Sequence, residues 1–174
     1  MPKDLIISDP IEIPFKKQNS GSAKHITSKH GEAFWEKSVT KKFAKKQGCY
    51  VFALRAAKGY VPWYIGKSEK SFEQETFTHH KLAQYNDALF DGRKGTPVLF
   101  FVAPDGNKRK VPANVCNQVE TFLIQSGYIK NPDLKNKQKT KVPDWTIGGV
   151  VRPTRGKPSQ LAQTFRNMMG LQKS

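Results

Sequence analysis

Cysteine is nearly absent from this chain: two in 174 residues, Cys49 and Cys116, far apart in the sequence and without a Cys-x-x-Cys partner. That pattern excludes a disulfide framework and a structural zinc site, and a reducing, cytoplasmic setting is expected. Long apolar runs are missing too. No run exceeds six residues, as at 98–103, and the N-terminal run at residues 5–7 lies between Asp4 and Asp9. A transmembrane helix needs about 20 apolar residues, so neither a span nor a secretory signal is read here. There is no internal repeat and no low-complexity tract.

Acidic side chains are scarce: 14 against 30 Lys and Arg, for a net charge of +16. The excess sits mainly in the flanks. Residues 1–47 carry ten basic and five acidic side chains, residues 48–128 ten and seven, and residues 129–174 ten and two. Such a balance is the footprint of a polyanion partner, because each cation that neutralises a phosphate releases condensed counterions. No amphipathic basic helix points to a membrane surface. The expected partner is therefore nucleic acid, DNA before RNA; the oligomeric state is not legible.

With 37% apolar and 11% aromatic residues, the chain has enough bulk for one core. Residues 1–47 read as a basic N-terminal arm: a strand-like patch interrupted by Pro10 and Pro14, then a helix over residues 30–46 with Phe34, Trp35 and Phe43 as its apolar side chains. From Gly48 the pattern changes. Residues 49–54 and 63–66 read as the two strands of a hairpin, and Ser71 with Gln74 as a capping box opening a helix to about Phe90. Its buried stripe is Phe77, Leu82, Tyr85 and Leu89. Residues 97–102 form a third, central strand, and the turn after it carries the basic run Lys108, Arg109 and Lys110. A second helix over residues 113–126 buries Val115, Val119, Phe122 and Leu123 and stops at Gly127. Beyond it lie a lysine-rich loop, an edge strand over residues 145–151, and a helix over residues 158–169 with Leu161, Phe165 and Met168 facing inward. The fold class is α+β: a small sheet in a β-β-α-β-α core over residues 48–136, flanked by helices, with a basic C-terminal extension over residues 137–174.

Gly48-Cys49-Tyr50 on the first strand, Tyr64-Ile65-Gly66 on the second, and then a helix bearing Glu120 resemble the GIY-YIG nuclease family. The resemblance covers about residues 48–136, with thirteen residues between Tyr50 and Tyr64. It implies metal-dependent phosphodiester cleavage. Carried over, Tyr50 becomes the general base or water-orienting group, with Tyr64 its neighbour, and Glu120 holds one Mg²⁺ or Mn²⁺. A hard cation takes carboxylate oxygen and keeps several waters, so one glutamate plus substrate phosphate suffices. Lys67 matches a lysine used near the scissile phosphate. Asn136 resembles the asparagine after the metal-ligand helix, with Asn131 as the alternative.

The chain departs from the family at one place. Where an arginine is expected to stabilise the phosphorane, it carries Gln74 and Glu75. His79, His80 and Lys81, one helical turn further on, are the candidate replacements. Lys108, Arg109, Lys110, Lys137, Lys139, Lys141, Arg152 and Arg155 are expected to contact nucleic acid. The alternative to an endonuclease is a non-catalytic nucleic-acid-binding module on a degenerate scaffold of this family, because losing a preorganised cation at a developing charge costs orders of magnitude in rate.

Overall fold

The computed structural model describes residues 5–17, 24–57, 59–90, 95–141 and 159–169. It divides into two units, Met1–Lys141 and Val142–Ser174. The first is a mixed α+β unit built on an antiparallel sheet of order β1-β7-β5-β6, with β2 also on β7. The hairpin strands are β5 (Gly48–Ala56) and β6 (Gly59–Ser68), and β7 (Thr96–Pro104) lies on the other side of β5. β1 (Leu5–Ile7) and β2 (Ile11–Glu12) complete the β7 edge, while β3 (Lys16–Lys17) and β4 (Lys24–His25) pair with each other. The segment expected as an arm thus supplies edge strands, and it also supplies two core helices, α1 (Ser28–Glu36) and α2 (Ser38–Ala44).

Strand alternation sorts the core into two faces. Tyr50, Phe52, Leu54, Leu99 and Phe101 join Phe34, Phe43, Phe72 and Tyr85 in the larger cluster. Phe101 is its hub, with rings of Phe34, Trp35, Phe43 and Phe72 between 4.6 and 6.3 Å away. Truncating such a ring costs about 3–5 kcal/mol. On the other face Cys49, Val102 and Ile65 meet Cys116 and Ile124 of α5 (Ala113–Lys130). Between Phe52 and Ala53 the register slips, and Pro62 lies on β6 at the slip. A residue without an N–H fits there, since a bulge already forfeits a ladder bond.

Three expectations are corrected. Both long helices are split. Lys37 is extended between α1 and α2, where the Thr40 hydroxyl donates to Phe34 O and Lys37 O at 2.7 and 2.8 Å. The helix after Ser71 becomes α3 (Phe72–Glu75) and α4 (His79–Phe90): the Thr76 hydroxyl joins its own N–H on Phe72 O, and the buried Tyr85 hydroxyl takes Thr76 O, the carbonyl on which a continuing helix would next bond. Next, α5 runs through Gly127 to Lys130. A Cβ on Gly127 meets Ile65 Cδ1 at 2.7 Å, so the glycine serves close approach to β6 and is not a stop. Third, Phe122 is 67% exposed, because six residues place it about 120° round the helix from Cys116. The cysteines, distant in sequence, meet in space: their sulfurs lie 3.9 Å from each other between β5 and α5, both free and buried. The Cys49 thiol, hydrogen-bonded to Cys116 and desolvated, is pushed far up, and that same bond, aided by Lys67, lowers Cys116.

The second unit contributes α6 (Gln160–Met168). Leu161, Phe165 and Met168, expected inward, are exposed, and Ala162 is the buried position. No other described element of that unit exists for the stripe to pack on. The expected strand over residues 145–151 lies outside the described residues. No helix among the described residues is long and apolar enough to cross a membrane.

Candidate functional site

The hairpin register pairs Tyr50 with Gly66 and Gly48 with Ser68. Gly48 has φ +147°, and a Cβ there meets Val102 O at 2.1 Å. A Cβ on Gly66 meets the Tyr50 ring and hydroxyl at 2.4 Å. The phenol therefore lies across β6 where a side chain is missing, and the two tripeptides form one packing device. Tyr50 is wholly buried and its hydroxyl has no hydrogen-bond partner among the described residues, Tyr85 donating instead to Thr76 O. Burial first, then Tyr85, Tyr64 and Glu75, hold the Tyr50 hydroxyl well above the usual tyrosine range. A neutral phenol buried from solvent is poorly suited to accept a proton.

The other tyrosine reaches a cavity. A cleft of about 490 Å³ opens along β6 and α5, with Tyr64, Lys67, His80, Glu120, Asn136 and Lys139 in its walls. Lys81 donates to the Tyr64 hydroxyl and lies 4.9 Å from its ring centre. Lys67 is held between Glu69 and Asn117 Oδ1, the latter at 2.7 Å, and the Glu69 contact raises its pKa while lowering that of Glu69. Glu120, its side chain 13% exposed, is ion-paired with Lys139. Asn136 is spent on the backbone: it accepts from Ile65 N at 2.9 Å and donates to Ile65 O at 2.7 Å. Lys135 N donates to Trp63 O and Asn131 Nδ2 to Pro62 O. The segment after α5 is thus pinned along the outer side of β6, and both asparagines serve that purpose.

No protein-family model matches the chain, and neither a curated protein nor a solved structure does. The chemistry open to the site therefore follows from its own residues.

At the position of the expected arginine, Gln74 N donates to the capping hydroxyl of Ser71, and Glu75 Oε1 accepts from Glu69 N and Lys70 N at 2.9 and 2.6 Å. Both side chains shape the turn after β6. Of the candidate replacements, His79 opens α4 and is exposed outside the cleft, His80 lines it, and Lys81 touches Tyr64. Lys137 lines the cleft beside Lys139. Lys141 is exposed, and its carbonyl accepts from Gln125. Lys108, Arg109 and Lys110 are exposed beyond β7, with Arg109 in a separate groove. Arg152 and Arg155 lie outside the described residues.

For a divalent cation the donor set offers one hard ligand, Glu120. Among the described residues no three His, Cys, Asp or Glu side chains stand together, so the remaining ligands must be water and substrate oxygen. Sequence reasoning missed Gln84, Lys135 and Asn117. Two of them had a signal, since Gln84 follows His80 by four residues and Asn117 precedes Glu120 by three, the spacings that share a helix face.

Proposed function

We propose that the cleft along β6 cleaves nucleic-acid phosphodiester bonds with one divalent cation, as the GIY-YIG resemblance implies. The observation that carries this reading is the meeting of Tyr64, Lys67, His80 and Glu120, from two helices and a strand, in one cleft. Glu120 would hold the cation, which when bound polarises a phosphoryl oxygen and acidifies a water. Lys67 neutralises the phosphate. Because Lys81 already donates to the Tyr64 oxygen, the Tyr64 proton is left to donate toward a phosphoryl oxygen, and Lys81 supplies through it the positive charge that the chain lacks at residues 74 and 75. Tyr50 shapes the strand beneath.

The second reading, a binding module without catalysis, is favoured by one contact, the Lys139 ammonium on the Glu120 carboxylate. Plasmid nicking with Mg²⁺ or Mn²⁺ separates them. Glu120→Ala is expected to lower nicking at least about a hundredfold, since loss of groups that merely support a metal ligand already costs 10–100-fold. Lys139→Ala is expected to lower the metal concentration required. A wild-type protein and a Lys139→Ala variant that both fail to nick would leave the binding module.

A further inference from the structure

Near the opposite edge of the sheet lies a second concave surface. It is a groove of about 530 Å³ whose walls include Lys41, Lys42, Lys45, Lys46 and Arg109. Lys46 donates to Pro104 O and Gly106 O, both at 2.8 Å, and so fixes the turn after β7. The Arg109 carbonyl accepts from Gln47 N at 2.8 Å, which ties that turn to the start of β5. Glu73 is ion-paired with Lys45 and Asp105 accepts from Gly106 N, while Glu32 and Glu36 line an adjoining cavity with Lys41, and Asp9 and Glu12 one with Lys42. Lys41, Lys42 and Arg109 are exposed, with no carboxylate partner among the described residues. The groove is therefore built by two of its cations and left positive by the other three.

We propose that this groove is a second site for the phosphate backbone, receiving a DNA duplex that crosses the end of the sheet to the cleft at β6. The inference rests on the proposal of a nucleic-acid substrate for that cleft. Cys49 is paired with Val102 on one side and Lys67 on the other, so the groove at the end of β7 and the Lys67 side of the cleft share one end of the sheet. Three strand spacings separate β1 from β6, about 14 Å, close to the about 12 Å width of a B-DNA major groove. Cations flanking a span of that order suit phosphates on two sides of one duplex. A single strand is disfavoured because such sites stack bases on aromatic side chains, and the aromatic among the groove's described walls, Phe43, is 3% exposed.

The test is fluorescence anisotropy of the full chain with a short DNA duplex, in chelator and over a range of salt, for wild type and a Lys41→Gln, Lys42→Gln, Arg109→Gln variant. Each phosphate that is no longer neutralised flattens the slope of log affinity against log salt by about 0.9, so the triple variant is expected to flatten it by about 2–3, while Lys41→Arg with Lys42→Arg keeps the wild-type slope. The single variants, each removing one cation, carry the test if the triple variant does not fold. An unchanged slope in folded variants overturns the proposal, as does tighter binding of the single strand or of an RNA duplex, or no binding of the DNA duplex by wild type. Nicking measured in parallel keeps the readings apart: a flattened slope without nicking retains the groove and sinks the cleft's catalysis, and nicking with an unchanged slope does the reverse.

Discussion

Tyr50 and Tyr64 carry the same phenol into opposite surroundings. The Tyr64 hydroxyl meets Lys81 at a cleft wall; that of Tyr50 is buried without a hydrogen-bond partner among the described residues. An unsatisfied buried hydroxyl costs about 1–3 kcal/mol. Tyr50→Phe is therefore expected to stabilise the protein by about 1 kcal/mol, raising Tm by about 2–4 °C for a chain of this size. A catalytic Tyr50 would predict lost nicking as well, so melting and nicking of this one variant together assign the hydroxyl. The same burial sets an alkaline limit. Tyr50 and Tyr85 both have pKa values held well above 10, burial being the first cause in each. The unfolded chain ionises its tyrosines near pH 10, so it releases protons that the folded chain retains. Stability is full below that pH and declines as pH rises from about 10 toward the raised folded values. Absorbance titration should show Tyr50 and Tyr85 ionising only as the protein unfolds. Ionisation of these two before any loss of helix would refute the burial argument.

At the scale of elements, what was legible followed from local pattern. The β5 and β6 hairpin, the capped start at Ser71 and the amphipathic α5 all declare themselves through alternation, caps and helical spacing. What was not legible depends on partners far along the chain. Nothing near Thr76 announces that Tyr85 will take its carbonyl, and nothing near Gly127 announces Ile65. The site divides in the same way. Tyr64, Lys67 and Glu120 were readable as an ordered set, and they share one cleft. That Lys139, nineteen residues beyond Glu120, closes on its carboxylate is a product of the path taken by the segment after α5. So is the fate of Asn131 and Asn136, polar residues whose amides are consumed by β6. The second basic groove was hidden for a similar reason, since residues 41–46 and Arg109 meet only once the sheet brings α2 beside the end of β7.

For the whole molecule, a net charge of +16 keeps copies apart in dilute salt and loses that effect as ions screen it. A shorter-range safeguard is then needed, and the segment pinned along β6 supplies one. A strand with free N–H and C=O groups templates pairing with another chain. Asn136 occupies both groups of Ile65 with a single amide, so the sheet ends on this side in a side chain instead of an open ladder. Asn136→Ala bares that position. In moderate salt, sedimentation is expected to show the variant shifting to larger species as its concentration rises, while Gln138→Ala, a change in the same segment, sediments as wild type. Identical profiles for both variants would mean that something other than this amide guards the edge. The residue that the family resemblance places after the metal-ligand helix is, on this view, what closes this edge at the ionic strength where charge no longer repels.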